Sequence, residues 1–258
     1  MSKHHNQPTA ADSKIRLRVR RQKDAQSLPY WEDFEIPYQK GHNVISLLME
    51  VRKNPLNAQG QRVEPVVWDC NCLEEVCGAC SMVINGRAQQ GCTALVDQLD
   101  QPIVAEPLDK FPIVRDLVVD RTRMFENLKR VKAWVDIDGT YSLGMGVRQD
   151  PEEALTRYKL SECMSCGVCL QVCPQVALDN KFVGAAIINQ VQLFNTHPVG
   201  TYKANERLDV LMQEGGIADC GNAQNCVEAC PKSIPLTESI AKVGRAATMR
   251  MIRKHLGV

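Results

Sequence analysis

Twelve cysteines in 258 residues fall into three groups whose spacing suits thiolate ligation. From Cys163 to Pro174 the chain reads C-M-S-C-G-V-C-L-Q-V-C-P, so that Cys163, Cys166 and Cys169 follow at C-x2-C-x2-C and Cys173 comes after three more residues, ahead of a proline. Thiolate sulfur is the soft donor that iron–sulfur clusters take, and in this spacing the fourth cysteine ligates a different cluster from the first three. The run therefore serves two clusters and needs ligands from elsewhere in the chain.

A second run, Cys220 to Pro231, reads C-G-N-A-Q-N-C-V-E-A-C-P, the same frame with Ala223 in the place of the second cysteine. By the cross-over rule Cys163, Cys166 and Cys169 are completed by Cys230, giving four thiolates for a [4Fe–4S] cluster. The reciprocal set is Cys173, Cys220 and Cys226, because alanine cannot ligate iron. Three thiolates suit a cuboid missing one corner, [3Fe–4S]; water or another side chain completing it as [4Fe–4S] is the alternative.

The third group, D-C-N-C-L-E-E-V-C-G-A-C, places Cys72-x4-Cys77-x2-Cys80, with Cys92 eleven residues beyond Cys80. This is the plant-type [2Fe–2S] signature. Gly78 and Ala79 keep the loop small enough for backbone amides to reach the sulfurs. Cys70 falls outside the spacing and reads as a spare buried thiol. The competing class is a structural zinc or assembly protein, but a zinc ribbon pairs two C-x2-C knuckles and the third group has one.

The rest of the composition narrows the function by exclusion. A formal net charge of +1 provides no long-range field for nucleic acid. No apolar run approaches the ~20 residues of a membrane span, and residues 1–13 are polar, unlike a secretory signal. Twelve cysteines without an export signal favour metal ligation over disulfides. There is no P-loop, dinucleotide fingerprint or H-E-x-x-H, and the histidines at 4, 5, 42, 197 and 255 stand scattered. No catalytic residue is expected in the chain. Three one-electron centres instead describe a wire whose substrate chemistry lies on other subunits.

The elements that must position these ligands are legible in outline. Ile15, Leu17 and Val19 alternate with Arg16, Arg18 and Arg20 as a half-buried strand, and residues 31–36 form its hairpin partner. Asn43 caps a helix with Val44, Leu47, Leu48 and Val51 on one face, stopped by Pro55. A short run at 66–68 precedes the cysteines; residues 81–84, Asn85-Gly86 and the stretch to Cys92 read as a type I′ hairpin, and 103–105 as a last strand. Beyond about residue 116 the texture turns helical, at 121–135, from Asp150 with Pro151 at the first position, at 182–194, at 205–212, and from about Thr237. In that last helix Lys242, Arg245, Arg250, Arg253 and Lys254 are basic. The expected fold class is α+β, an N-terminal [2Fe–2S] domain over 14–116 and an α-helical domain over 117–258 carrying the other two clusters.

The combination of a plant-ferredoxin-like domain with C-x2-C-x2-C-x3-C-P and C-x5-C-x3-C-P-K resembles the iron–sulfur subunits of succinate dehydrogenase and quinol:fumarate reductase. The resemblance runs from about Lys14 to Leu256 and includes the linker around Phe111 to Leu117. It implies a β-grasp ferredoxin-like domain followed by a dicluster ferredoxin-like domain. It also implies a flavoprotein partner that oxidises succinate to fumarate at FAD, and passage of electrons through [2Fe–2S], [4Fe–4S] and [3Fe–4S] clusters to quinone at a membrane anchor, on the cytoplasmic face of the cytoplasmic membrane. Fumarate reduction would use the same parts in reverse. The ubiquinone-linked branch has a tryptophan soon after the first C-P and a histidine after the first cysteine of the last group. Here residues 175–180 contain no aromatic side chain and Gly221 follows Cys220. The chain is thus more similar to the menaquinone-linked branch, whose anchor is a cytochrome b carrying haem b.

Overall fold

A computed structural model describes residues 14–136 and 148–257; the polar start of the chain, residues 1–13, lies outside them. Contacts divide the chain into two compact units. The first falls within Met1–Asp120 and takes in Met164–Gln171 as well; the second comprises Arg121–Cys163 and Val172–Val258.

In the first unit the alternating N-terminal residues form β1 (Lys14–Arg21), antiparallel to β2 (Tyr30–Pro37) with Leu17 opposite Phe34. Asn43 closes a capping box with Ser46 at the start of α1 (Val44–Lys53), whose Val44, Leu47, Leu48 and Val51 are buried. Asn85 and Gly86, both at positive φ, turn β3 (Ser81–Ile84) into β4 (Arg87–Gln90), as a type I′ turn requires. β5 (Ile103–Glu106) pairs in parallel with β1 and antiparallel with β3, giving the sheet order β2-β1-β5-β3-β4. One core joins Ile15, Leu17, Leu47, Leu48, Met82 and Ile84 with Cys80 and Cys92, so the sheet and α1 anchor the last two cysteines of the third group.

Residues 66–68 form no strand. Val67 instead donates its N–H to Asp116 Oδ2 at 2.9 Å and accepts from Leu117, beside a small ribbon of β6 (Ile113–Arg115) and β7 (Val118–Val119). Asp116 also accepts from Gln22 N–H and from Arg21 Nε at 2.9 Å. Arg21, 2% exposed, is paired with Glu32 as well. Breaking a buried pair strands the remaining charge at a cost of about 3–5 kcal/mol. Asp116→Ala is therefore expected to destabilise the first unit by about that much, read as a lowered urea midpoint; a loss below about 1 kcal/mol would show that Glu32 and water suffice for Arg21.

Segment Met164–Gln171 includes α4 (Val168–Gln171) and is fastened within the first unit. Gln171 Nε2 donates to Asp109 Oδ1 at 2.5 Å, and Gln171 Oε1 accepts the Lys110 N–H at 3.2 Å. Gly167, at φ +84°, lies so close to Phe111 that a Cβ would come within 2.9 Å of the ring.

The second unit is helical. α2 (Thr122–Arg130) is shorter than the expected 121–135, because Lys132 takes positive φ and turns the chain away. Asp150 caps α3 (Pro151–Ser161) by accepting from Glu152 and Glu153 N–H. α5 (Ala185–Thr196) begins at Gly184, φ +82°, later than expected, and buries Ile187, Ile188 and Val191 against α3 and α8 (Leu236–Leu256). Buried Asn189 on α5 donates to Leu160 O of α3 and accepts from Ser239 of α8. α6 (Ala204–Leu211) and the single turn α7 (Asn225–Glu228) complete the unit. α8 starts close to the expected Thr237; Glu238 in its first turn precedes the basic residues.

Candidate metal centres

The third cysteine group forms a loop that curls because Leu73, Glu75 and Gly78 adopt positive φ. This turns backbone amides towards sulfur. Glu74, Val76 and Cys77 N–H donate to Cys72 Sγ at 3.4, 3.3 and 3.3 Å, while Cys72 and Ala79 N–H reach Cys77 Sγ at 3.5 Å each. Donation from Glu74 and Val76 brings the Cys72 thiol down to about 7, the direction expected when hydrogen bonds favour the thiolate. Cys80 and Cys92 close the site from the core side, 4% and 5% exposed. Burial pushes the Cys80 thiol up to about 12, so a bound cation must supply the charge that ionises it. Four sulfurs, two of them met by amides and two buried, fit a [2Fe–2S] cluster. Cys70 is half-buried against the same core, and its thiol is pushed up by burial and then by the neighbouring thiols of Cys77, Cys92 and Cys72.

In the second unit Cys173, Cys220 and Cys226 line one cavity of about 20 Å³, and Ala223 lines it with them. The two runs share backbone features at matched positions. Ser165 and Asn222 both take φ 52°; Gly167 and Gln224 are both left-handed, at 84° and 65°; the matched turns α4 and α7 follow. Ala223 thus stands between two left-handed residues, as Cys166 does in the first run. Asn225 Nδ2 donates to Val172 O at 3.1 Å, tying the two stretches of this unit together. Cys226 is pushed up by burial and by the thiols of Cys173 and Cys220. Three convergent sulfurs and a methyl group at the fourth position fit a [3Fe–4S] cluster.

Cys166 and Cys169, each 9% exposed, belong to the first unit, just before and within α4 respectively. Cys163 follows α3 and Cys230 follows α7, both in the second. The structure thus brings together four cysteines of the third group, Cys72, Cys77, Cys80 and Cys92, and three around the cavity, while the expected [4Fe–4S] set draws on both units.

Supporting residues escaped the sequence reading. Gln90 is fully buried and donates to Ser81 Oγ at 2.9 Å, and Ser81 Oγ donates to Gly78 O at 2.8 Å. The signal existed: a two-residue Asn85-Gly86 turn puts Ser81 opposite Gln90. Gln175 and Gly221 are another pair, since a Cβ at Gly221 would meet Gln175 Nε2 at 2.7 Å. No local pattern marks that contact.

Comparison with known proteins matches two stretches of the chain separately. A family model described as "2Fe-2S iron-sulfur cluster binding domain" matches residues 16–126, and "4Fe-4S dicluster domain" matches 159–234. The chain is 58% identical over 243 residues to the "Succinate dehydrogenase iron-sulfur subunit" of Bacillus subtilis, covering 94% of this chain and 96% of that protein. Fumarate reductase iron-sulfur subunits of Mycobacterium tuberculosis and Wolinella succinogenes are 30% and 27% identical, over 90% and 86% of this chain and 92% and 91% of theirs. A chain of the Mycobacterium smegmatis Sdh1 complex in the apo form shares the fold, with a TM-score of 0.75 at 22% identity, covering 93% of this chain and 97% of that one.

Proposed function

The chain belongs to the family of succinate dehydrogenase iron–sulfur subunits, and from that premise we propose that it conducts electrons from a flavoprotein partner, where succinate is oxidised to fumarate at FAD, to quinone at a membrane anchor. When bound, each cluster takes up and gives back one electron. The proposed ligands are Cys72, Cys77, Cys80 and Cys92 for [2Fe–2S]; Cys163, Cys166, Cys169 and Cys230 for [4Fe–4S]; and Cys173, Cys220 and Cys226 for [3Fe–4S]. The domains proposed to hold them span 14–116 and 117–258.

The observation that carries this reading is the repeated backbone of the two runs with Ala223 in the second, together with the cavity that Ala223 shares with three thiols. The chain's own part is to tune and shield. Amides on Cys72 and Cys77 stabilise negative charge at sulfur, and burial of Cys80, Cys92, Cys166, Cys169 and Cys226 limits water; both levers move the potential of an iron–sulfur centre. The 58% relative supports the succinate-oxidising direction over fumarate reduction.

Among the described residues no helix is long and apolar enough to cross a membrane, and attachment is proposed through the anchor subunit on the cytoplasmic face. For the acceptor, menaquinone with a haem b-bearing anchor is the proposal. Gly221 and Gln175 accommodate one another in the cavity lining, where a larger residue at 221 would displace the Gln175 amide. Purification of the complex is expected to yield FAD, iron, acid-labile sulfide and haem b with the chain. Zinc in stoichiometric excess over iron would refute the wire, and a complex without haem b would refute the proposed anchor.

A further inference from the structure

We propose that Gly78 is a positioning residue for electron transfer between the [2Fe–2S] and [4Fe–4S] centres, held in place by Ser81 and Gln90; this rests on the ligand assignment above. Gly78 lies between ligands Cys77 and Cys80. A Cβ built on it would fall 2.7 Å from Cys166 Cβ, 2.8 Å from Cys166 Cα and 3.1 Å from Met164 O. Two of these neighbours are main-chain atoms, which cannot swing aside as a flexible side chain can. The loop that carries two ligands of one centre is therefore seated directly on the main chain of a ligand of the next. At φ +69° the position also suits glycine conformationally.

The contact is braced from both sides. Ser81 Oγ donates to the Gly78 carbonyl at 2.8 Å and receives the Gln90 amide at 2.9 Å; Ser81 is 3% exposed and Gln90 fully buried. A buried polar chain is retained at a desolvation cost unless its geometry is satisfied, and this one ends on the peptide that touches Cys166. On the other side, Gly167 against Phe111 and the Gln171 bonds to Asp109 and Lys110 hold the Cys166 segment.

In the step concerned one electron would pass from the [2Fe–2S] centre that Cys72, Cys77, Cys80 and Cys92 would hold to the [4Fe–4S] centre that Cys166 would help to hold; no bond forms or breaks and no proton moves. Its rate falls steeply with every gap that must be crossed through space, and the missing side chain of Gly78 closes that gap to van der Waals contact.

The test uses the purified complex with Gly78→Ala, Ser81→Ala and Ser81→Thr. Two readouts apply: EPR relaxation of the reduced [2Fe–2S] signal by the neighbouring paramagnetic centre, and freeze-quench appearance of the reduced [4Fe–4S] signal. Gly78→Ala is expected to weaken the relaxation coupling and slow the transfer several-fold at unchanged iron and sulfide content. Ser81→Ala should show the same change to a lesser degree, and Ser81→Thr, which keeps the hydroxyl, should restore both. Wild-type coupling and rate in fully loaded Gly78→Ala would overturn the proposal. Should that variant not assemble, Ser81→Ala decides, and unchanged values there overturn it. Absence of either signal from the wild-type complex would instead overturn the ligand assignment, and the proposal with it.

Discussion

Ala223→Cys is expected to abolish the EPR signal of the oxidised [3Fe–4S] cluster and to replace it with a [4Fe–4S] signal seen on reduction. The backbone already has the required form: Asn222 and Gln224 flank Ala223 with the same left-handed pattern that Ser165 and Gly167 give Cys166, and a matched helical turn follows. Ala223 also faces the cavity that Cys173, Cys220 and Cys226 line. A sulfur added there supplies the fourth thiolate without moving the main chain. Since cluster type and charge are principal determinants of potential within a range of about −700 to +450 mV, the variant should also conduct to quinone more slowly. Persistence of the oxidised [3Fe–4S] signal at full strength would show that position 223 does not face the open corner.

Arg207→Met is expected to cost the second unit the most stability of any single change to a side chain outside the cysteines. Arg207 is fully buried. Its Nε donates to Lys132 O at 3.0 Å, Nη1 to Gly200 O at 2.6 Å and to Asn195 Oδ1 at 3.1 Å, and Nη2 to Trp134 O at 2.9 Å. Burial draws its pKa down, opposed by the carboxylates of Asp136 and Glu206, and the ring of Phe194 lies 5.6 Å from the guanidinium. One side chain thus satisfies the carbonyls that α2 leaves behind where Lys132 breaks it. Each buried carbonyl deprived of its donor costs about 1–3 kcal/mol, so methionine, which fills the space without donors, should lower stability by about 4 kcal/mol or more. The urea midpoint of the variant measures this; a loss under about 1 kcal/mol would mean that water replaces the guanidinium.

Much of the first unit was legible because its signals are local. Alternation in Ile15, Leu17 and Val19, the Asn43 cap and the Asn85-Gly86 turn each depend on neighbours within a few residues, and each element formed as expected. The helical unit was read less sharply. α2 ended early because Arg207, remote in sequence, takes the carbonyls of Lys132 and Trp134, and α5 started late at a left-handed Gly184. Apolarity marked residues 66–68 only as a short run ahead of the cysteines, and nothing local in it showed that Asp116 claims the Val67 amide.

The proposed ligand chemistry was legible in the sequence itself, since cysteine spacing suggests which sulfurs can share a small inorganic body, and the substitution of Ala223 within a repeated frame distinguishes one proposed site from the other. Only the tertiary structure decided what surrounds those sulfurs. It joined Met164–Gln171 to the first unit, set Gly78 on Cys166, and placed Ser81 and Gln90 beneath it. The reason is physical: ligating side chains must be of one chemical type and mostly recur at fixed short spacings within each run, which a motif records even where two runs combine, whereas close packing and buried hydrogen bonds join chemically varied groups remote along the chain and leave no periodic trace in it.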